Sequence, residues 1–422
     1  MTSWLEILTL ACSALLLPPF LILALESLAA LLPRRVVATA RPAGVRCAIL
    51  VPAHDEEAGI AATLTRVRAE LQPEDRLLVV ADNCSDGTAT MARAAGAEVV
   101  ERVDPTRRGK GFALDFGVRT LEAAPPDVVV VIDADCLVQA SATDLLIGQV
   151  LRTGRPAQAV YLLDAPAGVG IRSQLSAFAF RFKNLVRPLG LDRLGLPPLL
   201  NGTGMAFPWE VLRQAPLASG NIVEDMQLGL DLARAGHPPK FCAEARVGGL
   251  LPSGRDAARK QRTRWEHGHL RTLLAQVPRL LLSAVRQRRL GLLGLALELS
   301  VPPLSMLGLL WVLAALLWCA TQAPLPGALL ASESLLAAAT LLGSWIRFGR
   351  DCLPFTSLLA APFYVLTKIP IYLAFVWKPE RAWVRTTREP LTPSPDCARE
   401  DAALAPARET APVGTGGAAS AP

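Results

Sequence analysis

The chain has 422 residues, 51% of them hydrophobic, with a mean hydropathy of +0.35. That leaves room for one catalytic domain and several membrane segments, and it excludes an ordinary soluble enzyme. The formal charge is +6, but Arg34, Arg35, Lys378, Arg381, Arg385 and Arg388 flank apolar runs, where membrane proteins keep cytoplasmic positive charge. With no zinc-finger, helix-turn-helix or aromatic-basic interleaving, nucleic acid is not expected as a partner.

In chain order, the first element is an uncharged apolar run from Ile7 to Leu25, close to the ~20 residues that cross a bilayer. It is expected to anchor a unit of residues 1–36. A cleaved signal peptide is the rival reading, disfavoured because Glu6 stands where a basic region belongs and no small-residue cleavage motif precedes Arg34. From 45 to 285 short β-branched runs alternate with amphipathic stretches, the pattern of a mostly parallel sheet covered by helices, here a cytoplasmic α/β domain. Strands are expected at Arg46–Val51, Leu77–Ala81, Glu98–Glu101 and Val128–Ile132, and helices at 56–70, 86–95 and 110–122. Ser85 or Asp86 would cap the second helix and Gly96 would stop it.

Polar motifs follow these strands, at the sheet edge where α/β proteins collect ligands. VPAHDEEAGI (51–60) and VVADNCSDGT (79–88) each read either as ligand loops or as capped helix starts, with Asp55, Glu56 and Glu57 favourable in a first turn. RRGKG (107–111) sets Lys110 in a flexible turn suited to a diphosphate, although it is not a Walker A loop. VVVVIDADC (128–136) carries the most information. Asp133 and Asp135 end a buried strand, and an extended backbone would point both carboxylates the same way. Two such charges are costly without a cation, and oxygen ligands favour Mg2+ or Mn2+ bridging a diphosphate. NGTGMAFP (201–208) offers Gly202 and Thr203 where a backbone approaches a ligand or another strand closely. In NIVEDMQLGLDLARAG (221–236), Glu224 and Asp225 open an amphipathic helix that ends at Gly236. They serve either the helix dipole or, for one of them, as general base toward an acceptor hydroxyl. RKQRTRWEHGHLR (259–271) reads as a basic helix on the membrane surface, or as one holding Gln261, Arg264 and Trp265 toward a sugar phosphate. His267 and His269 are expected at the surface or near substrate, not on a metal.

After Arg289, apolar segments near 299–321, 325–346 and 355–377 make a membrane region over 290–388. The third contains Pro362, Lys368 and Pro370. It is expected to lie at the interface or re-enter, which keeps the basic KPERAWVRTTR segment inside. The tail, 389–422, is rich in Ala, Pro, Gly and Thr and is expected to be disordered. Eight cysteines (12, 47, 84, 136, 242, 319, 352 and 397) form no CxxC pair, so neither zinc nor a disulfide framework is indicated.

Taken in order, PAHDEE, DNCSDGT, GKG, DAD, NGTG, ED and QRTRW resemble the family-2 inverting glycosyltransferases of GT-A fold, and in particular the membrane-bound branch with the cellulose, chitin, hyaluronan and poly-N-acetylglucosamine synthases. The resemblance covers about residues 45–285. It implies that Pro52, His54, Glu56 and Asp82 line a nucleotide pocket with Lys110 nearby, and that Asp133 and Asp135 hold a divalent cation and the diphosphate. Asp225 would be the base, with Gln261, Arg264 and Trp265 bordering diphosphate and acceptor. The implied partners are a nucleotide-sugar donor, a growing or lipid-linked glycan acceptor, membrane lipid and an assembly complex for cell-surface polysaccharide. The implied location is multi-pass in a bacterial inner membrane. Relatives usually carry Asn at the place of Asp55 and often a second Asp at that of Asn83, which leaves the nucleobase open, and three spans are few for a polymer channel. A sugar nucleotidyltransferase and a non-catalytic nucleotide-sugar-binding subunit remain the alternatives.

Overall fold

The structure is a computed structural model that describes residues 3–33, 41–166, 168, 170–252 and 254–378. Arg34, Arg35, Arg381, Arg385, Arg388 and the tail from 389 lie outside the described residues.

The chain opens with one long helix, α1 (Trp4–Leu31). An alternation follows: β1 (Cys47–Ala53), α2 (Ile60–Arg68), β2 (Arg76–Asp82), α3 (Thr88–Ala94), β3 (Glu98–Arg102), α4 (Lys110–Leu121) and β4 (Val128–Val131). Next come β5 (Leu137–Val138), α5 (Ala142–Thr153), β6 (Ala157–Asp164), α6 (Ile171–Arg181), a π-turn (Phe182–Val186) and α7 (Arg187–Arg193). The α/β part closes with β7 (Met205–Pro208), α8 (Trp209–Leu212), α9 (Glu224–Arg234), β8 (Lys240–Leu250) and the long α10 (Arg255–Gln287). The rest is helical: α11 (Leu290–Ser300), α12 (Leu304–Thr321), α13 (Pro324–Phe348), α14 (Phe355–Leu358), α15 (Ala361–Leu366) and α16 (Ile369–Trp377).

Among the described residues, eight strands form one sheet in the order β3-β2-β1-β4-β7-β6-β8-β5. Strands β3, β2, β1 and β4 are parallel, as are β6 and β8, while β7 runs antiparallel to both β4 and β6. The expected mostly parallel α/β sheet is therefore the observed one. Its core follows from the two-residue period of a strand. Ile49, Val51, Val79 and Val130 pack on one face with Leu64 of α2 and Leu146 of α5. Leu50, Val80, Val129 and Val131 pack on the other with Leu114 and Val118 of α4.

Two local readings need correction. Asp55, Glu56 and Glu57 are not in a first helical turn, since the chain turns through 57–59 and α2 begins only at Ile60. Their carboxylates instead knit two loops together: Asp55 accepts from the Ser85 amide at 2.6 Å, and Glu57 from the Gly87 amide at 2.9 Å. Nor are Asp133 and Asp135 on an extended strand end. β4 stops at Val131, and a turn closed by the Cys136 amide donating to the Asp133 carbonyl at 3.2 Å carries both.

Among the described residues, α1, α12 and α13 are long and apolar enough to cross a membrane, by length and composition. The segment expected near 355–377 is broken into α14, α15 and α16. Another apolar cluster joins Leu16, Phe20 and Leu23 of α1 to Phe182 of the π-turn, Phe241 of β8, Leu307 of α12 and Leu330 of α13. Within this contact Arg187 pairs with Glu26 of α1 and donates to the Glu298 carbonyl of α11 at 2.9 Å, all three residues being buried.

Candidate active site

The carboxyl ends of β1, β2 and β4, which the parallel order brings side by side, open into a cavity of about 480 Å³. Pro52, His54, Glu56, Asp82, Lys110, Asp133, Asp135, Gly202, Glu224, Asp225, Arg264 and Trp265 line it, whereas the candidates Thr203 and Gln261 do not. Thr203 is buried and its hydroxyl accepts from the Asp133 amide at 3.0 Å, so it fixes the aspartate from behind. Gln261 is buried in α10 without reaching the cavity.

At one end of the cavity, His54 donates from Nδ1 to the Asp82 carbonyl at 2.6 Å, tying the ends of β1 and β2 together. The Asp82 carboxylate is held by Arg102 at 2.6 Å and by the Asn83 amide at 3.0 Å. Arg102 also rests over the Phe112 ring. Asn83 adopts a left-handed φ of 52° and accepts from the Asp104 amide at 2.8 Å, which fixes the turn after β2.

At the centre, Lys110 is the first residue of α4, and its ammonium bonds to Asp133 and to the Gly202 carbonyl. Burial alone would lower its pKa, but Asp133 and then Glu224 outweigh burial and the net shift is upward, so the lysine stays charged. Gly202 has φ +89°, which favours glycine, and a Cβ there would stand 3.1 Å from the Asp225 carboxylate and press on it.

Glu224 and Asp225 open α9 as expected. Burial first, and then Asp225, push the Glu224 carboxyl up to about 8. Burial likewise raises Asp225, against the pull of Lys110, and its Oδ1 accepts from the Met226 amide at 2.8 Å. Arg264 lies within reach of the Glu224, Asp133 and Asp225 charges, although burial lowers its pKa on balance. Trp265 stacks against Phe180, ring centroids 5.5 Å apart, so only part of its surface faces the cavity. The two histidines are not surface groups: His267 bonds to the Ile371 carbonyl at 2.8 Å and His269 to that of Val301 at 3.0 Å, both buried. They tie α10 to the helical region, and burial lowers His269 to about 3, leaving it neutral.

For a divalent cation, ligand atoms of Asp133, Asp135 and Cys136 lie within 4.8 Å of one another. The Cys136 thiol is raised far by burial and stays protonated, so the usable donors are carboxylates, which suit Mg2+ or Mn2+ better than zinc. The residues present fit such an ion. A second trio, Asp55, Cys84 and Asp86, meets the same spacing, but Ser85 and Thr88 already donate to its carboxylates within the loop.

Sequence reasoning missed Tyr161, Phe180 and Lys183, which also line the cavity. Lys183 left one trace, a lysine inside the aromatic run AFAFRFKNLV.

Several glycosyltransferases are similar to this chain. An uncharacterized glycosyltransferase of Mycobacterium tuberculosis (strain ATCC 25618 / H37Rv) is 37% identical over 225 residues, 50% of this chain and 93% of that protein. Glucosyl-3-phosphoglycerate synthase of Mycolicibacterium paratuberculosis is 36% identical over 104 residues, 23% of this chain and 31% of the synthase. Among solved structures, the mannosyltransferase PcManGT from Pyrobaculum calidifontis, in complex with GDP-Man and Mn2+, superposes with a TM-score of 0.58 at 18% identity. It covers 89% of this chain and 100% of that one, and so shares the fold. Residues 43–268 match the family described as Glycosyltransferase like family 2, and the chain belongs to that family.

Proposed function

We propose that the protein is a membrane-bound inverting transferase that moves a hexosyl group from a nucleotide-sugar to a hydroxyl of a growing or lipid-linked glycan. The reading rests on one observation: Lys110, Asp133, Asp225 and Arg264, from four separate motifs, face one cavity at the carboxyl edge of the sheet. Asp225 takes the proton of the acceptor hydroxyl as its oxygen bonds to the anomeric carbon. The bond to the diphosphate breaks in the same displacement, the nucleoside diphosphate leaves with the electron pair, and configuration inverts. Asp133 and Asp135 would hold the divalent cation, which when bound supplies charge stabilisation to the leaving diphosphate. Lys110 keeps Asp133 in place, and Arg264 adds positive charge on the same side. Pro52, His54, Glu56 and Asp82 border the nucleotide. We assign residues 1–36 to an anchor, 45–285 to a cytoplasmic catalytic domain and 290–388 to a membrane region. The presence of all three carboxylates in one cavity disfavours a non-catalytic binding subunit.

The test is transfer by purified full-length protein in lipid with a panel of labelled nucleotide-sugars, comparing Asp225→Asn with the unaltered chain. Transfer should fall by about 10²-fold or more while donor Kd changes little. Full turnover by Asp225→Asn removes the base assignment, and donor-independent behaviour across the whole panel removes the transferase reading.

A further inference from the structure

The cavity continues past Asp225, away from the nucleotide motifs. Here the α6 helix widens into the π-turn, a one-residue distortion often found where function requires it. The turn puts Lys183 on the cavity wall with its side chain open to that space. No salt bridge engages its ammonium among the described residues, whereas Arg187, one turn on, is consumed by Glu26 and the Glu298 carbonyl. Burial pulls the Lys183 pKa down, and the nearby Asp225 charge opposes this without reversing it. An enclosed cation held in this way gains by meeting an anion.

Apolar side chains also line the cavity, Leu175 and Phe178 on α6, Leu304 at the start of α12, Leu341 on α13 and Val365 on α15, with Arg262 and the Lys368–Glu266 pair among them. Helices α12 and α13 are two of those long and apolar enough to cross a membrane. One cavity therefore brings together carboxylates, the Lys183 ammonium, the Lys368–Glu266 pair and an apolar wall built partly by membrane-type helices. A free glycan would leave its hydroxyls unpaired against that last wall.

We propose that the acceptor is a membrane lipid whose head group carries an anion beside the accepting hydroxyl, with Lys183 binding the anion and Asp225 facing the hydroxyl. The acyl or prenyl tail lies along Leu175, Leu304 and Val365. This deepens the transferase reading above and rests on it: the proton still passes to Asp225 and the nucleoside diphosphate still leaves.

The experiment uses full-length protein in phosphatidylcholine nanodiscs with the labelled donor that binds best. Acceptors are the anionic or the neutral fraction of a total membrane lipid extract, or the water-soluble head groups released from the anionic fraction by deacylation. Label should enter the organic phase with the anionic fraction alone. Lys183→Met should raise KM for that fraction by about tenfold or more, the size of one charge-assisted hydrogen bond. Donor Kd should hold, and Lys183→Arg should recover most of the loss. Val365→Trp, on the opposite wall, should block labelling of lipid with donor Kd intact. Equal labelling of the neutral fraction, equal use of the deacylated head groups, or unchanged kinetics in both Lys183→Met and Val365→Trp overturns the proposal. Absence of donor binding by the unaltered protein instead removes the transferase reading, so the two failures are distinguishable.

Discussion

The Asp225 carboxylate lies close against Gly202, whose left-handed φ favours a residue without a side chain. Gly202→Ala would combine a strained φ of +89° with a methyl 3.1 Å from the Asp225 carboxylate. Displacing the carboxylate proposed as base in this way should lower kcat by roughly tenfold or more with little change in donor Kd, read from steady-state kinetics beside equilibrium binding. Glu224 supports a different prediction. Its carboxyl ordinarily titrates near 4.5 and in the fold at about 8, so the folded protein holds this proton more tightly than the unfolded chain. Its contribution to stability is complete below pH 4.5 and is lost as pH rises through about 8. In chelator, Tm should fall by several degrees between about pH 6 and pH 9, and Glu224→Gln should flatten that slope; an equal slope in the variant excludes Glu224 as its source. The carboxylates, Lys110 and Gly202 were legible because such residues at such spacings are costly without a ligand. Thr203 as the clamp behind Asp133, and Lys183 across the cavity, were not legible, because each acts through a partner far away in sequence, 70 residues for Thr203 and 42 for Lys183.

At the level of elements, the first four strands could be read to within two residues because each is a short apolar run between turn residues. What the pattern could not give was β5 to β8, where strand directions mix and the β6–β8 pairing itself shifts register between Ala159 and Val160. The acidic loops kept two readings in the sequence, ligand loop or capped helix start: local capping chemistry and cross-loop bonding use the same residues, and only the fold decides between them. The joint between α1 and the catalytic sheet leads to a prediction of its own. Arg187→Met strands buried Glu26 without its partner, and removing one member of a buried pair costs about 3–5 kcal/mol. A clear fall in Tm in detergent is expected, larger than for the exposed pair broken by Arg93→Met. Equal effects of the two variants would show that the buried joint is no stronger than a surface contact.

For the molecule as a whole, α12 starts at Leu304, whose side chain lines the cavity, and ends at Thr321, with Cys319 exposed in its last turn. If α12 spans the bilayer, Cys319 and the exterior of the catalytic domain lie on opposite sides. In a background without other cysteines, a membrane-impermeant maleimide added to one side should label either Cys319 or Arg93→Cys, never both. Labelling of both from one side removes the crossing. The number of apolar segments could be read from composition, but not how tightly they are built into the enzyme, because the contact depends on Arg187 meeting a glutamate 161 residues earlier. That interval also orders the birth of the protein. Glu26 emerges from the ribosome on the order of ten seconds or more before its arginine exists, at ordinary rates of synthesis. If α1 crosses a membrane, it is inserted with an acid still waiting for its counter-charge, and the later α/β part must return to it to supply the arginine. An exchanged leader helix, however apolar, would give that returning domain nothing to recognise.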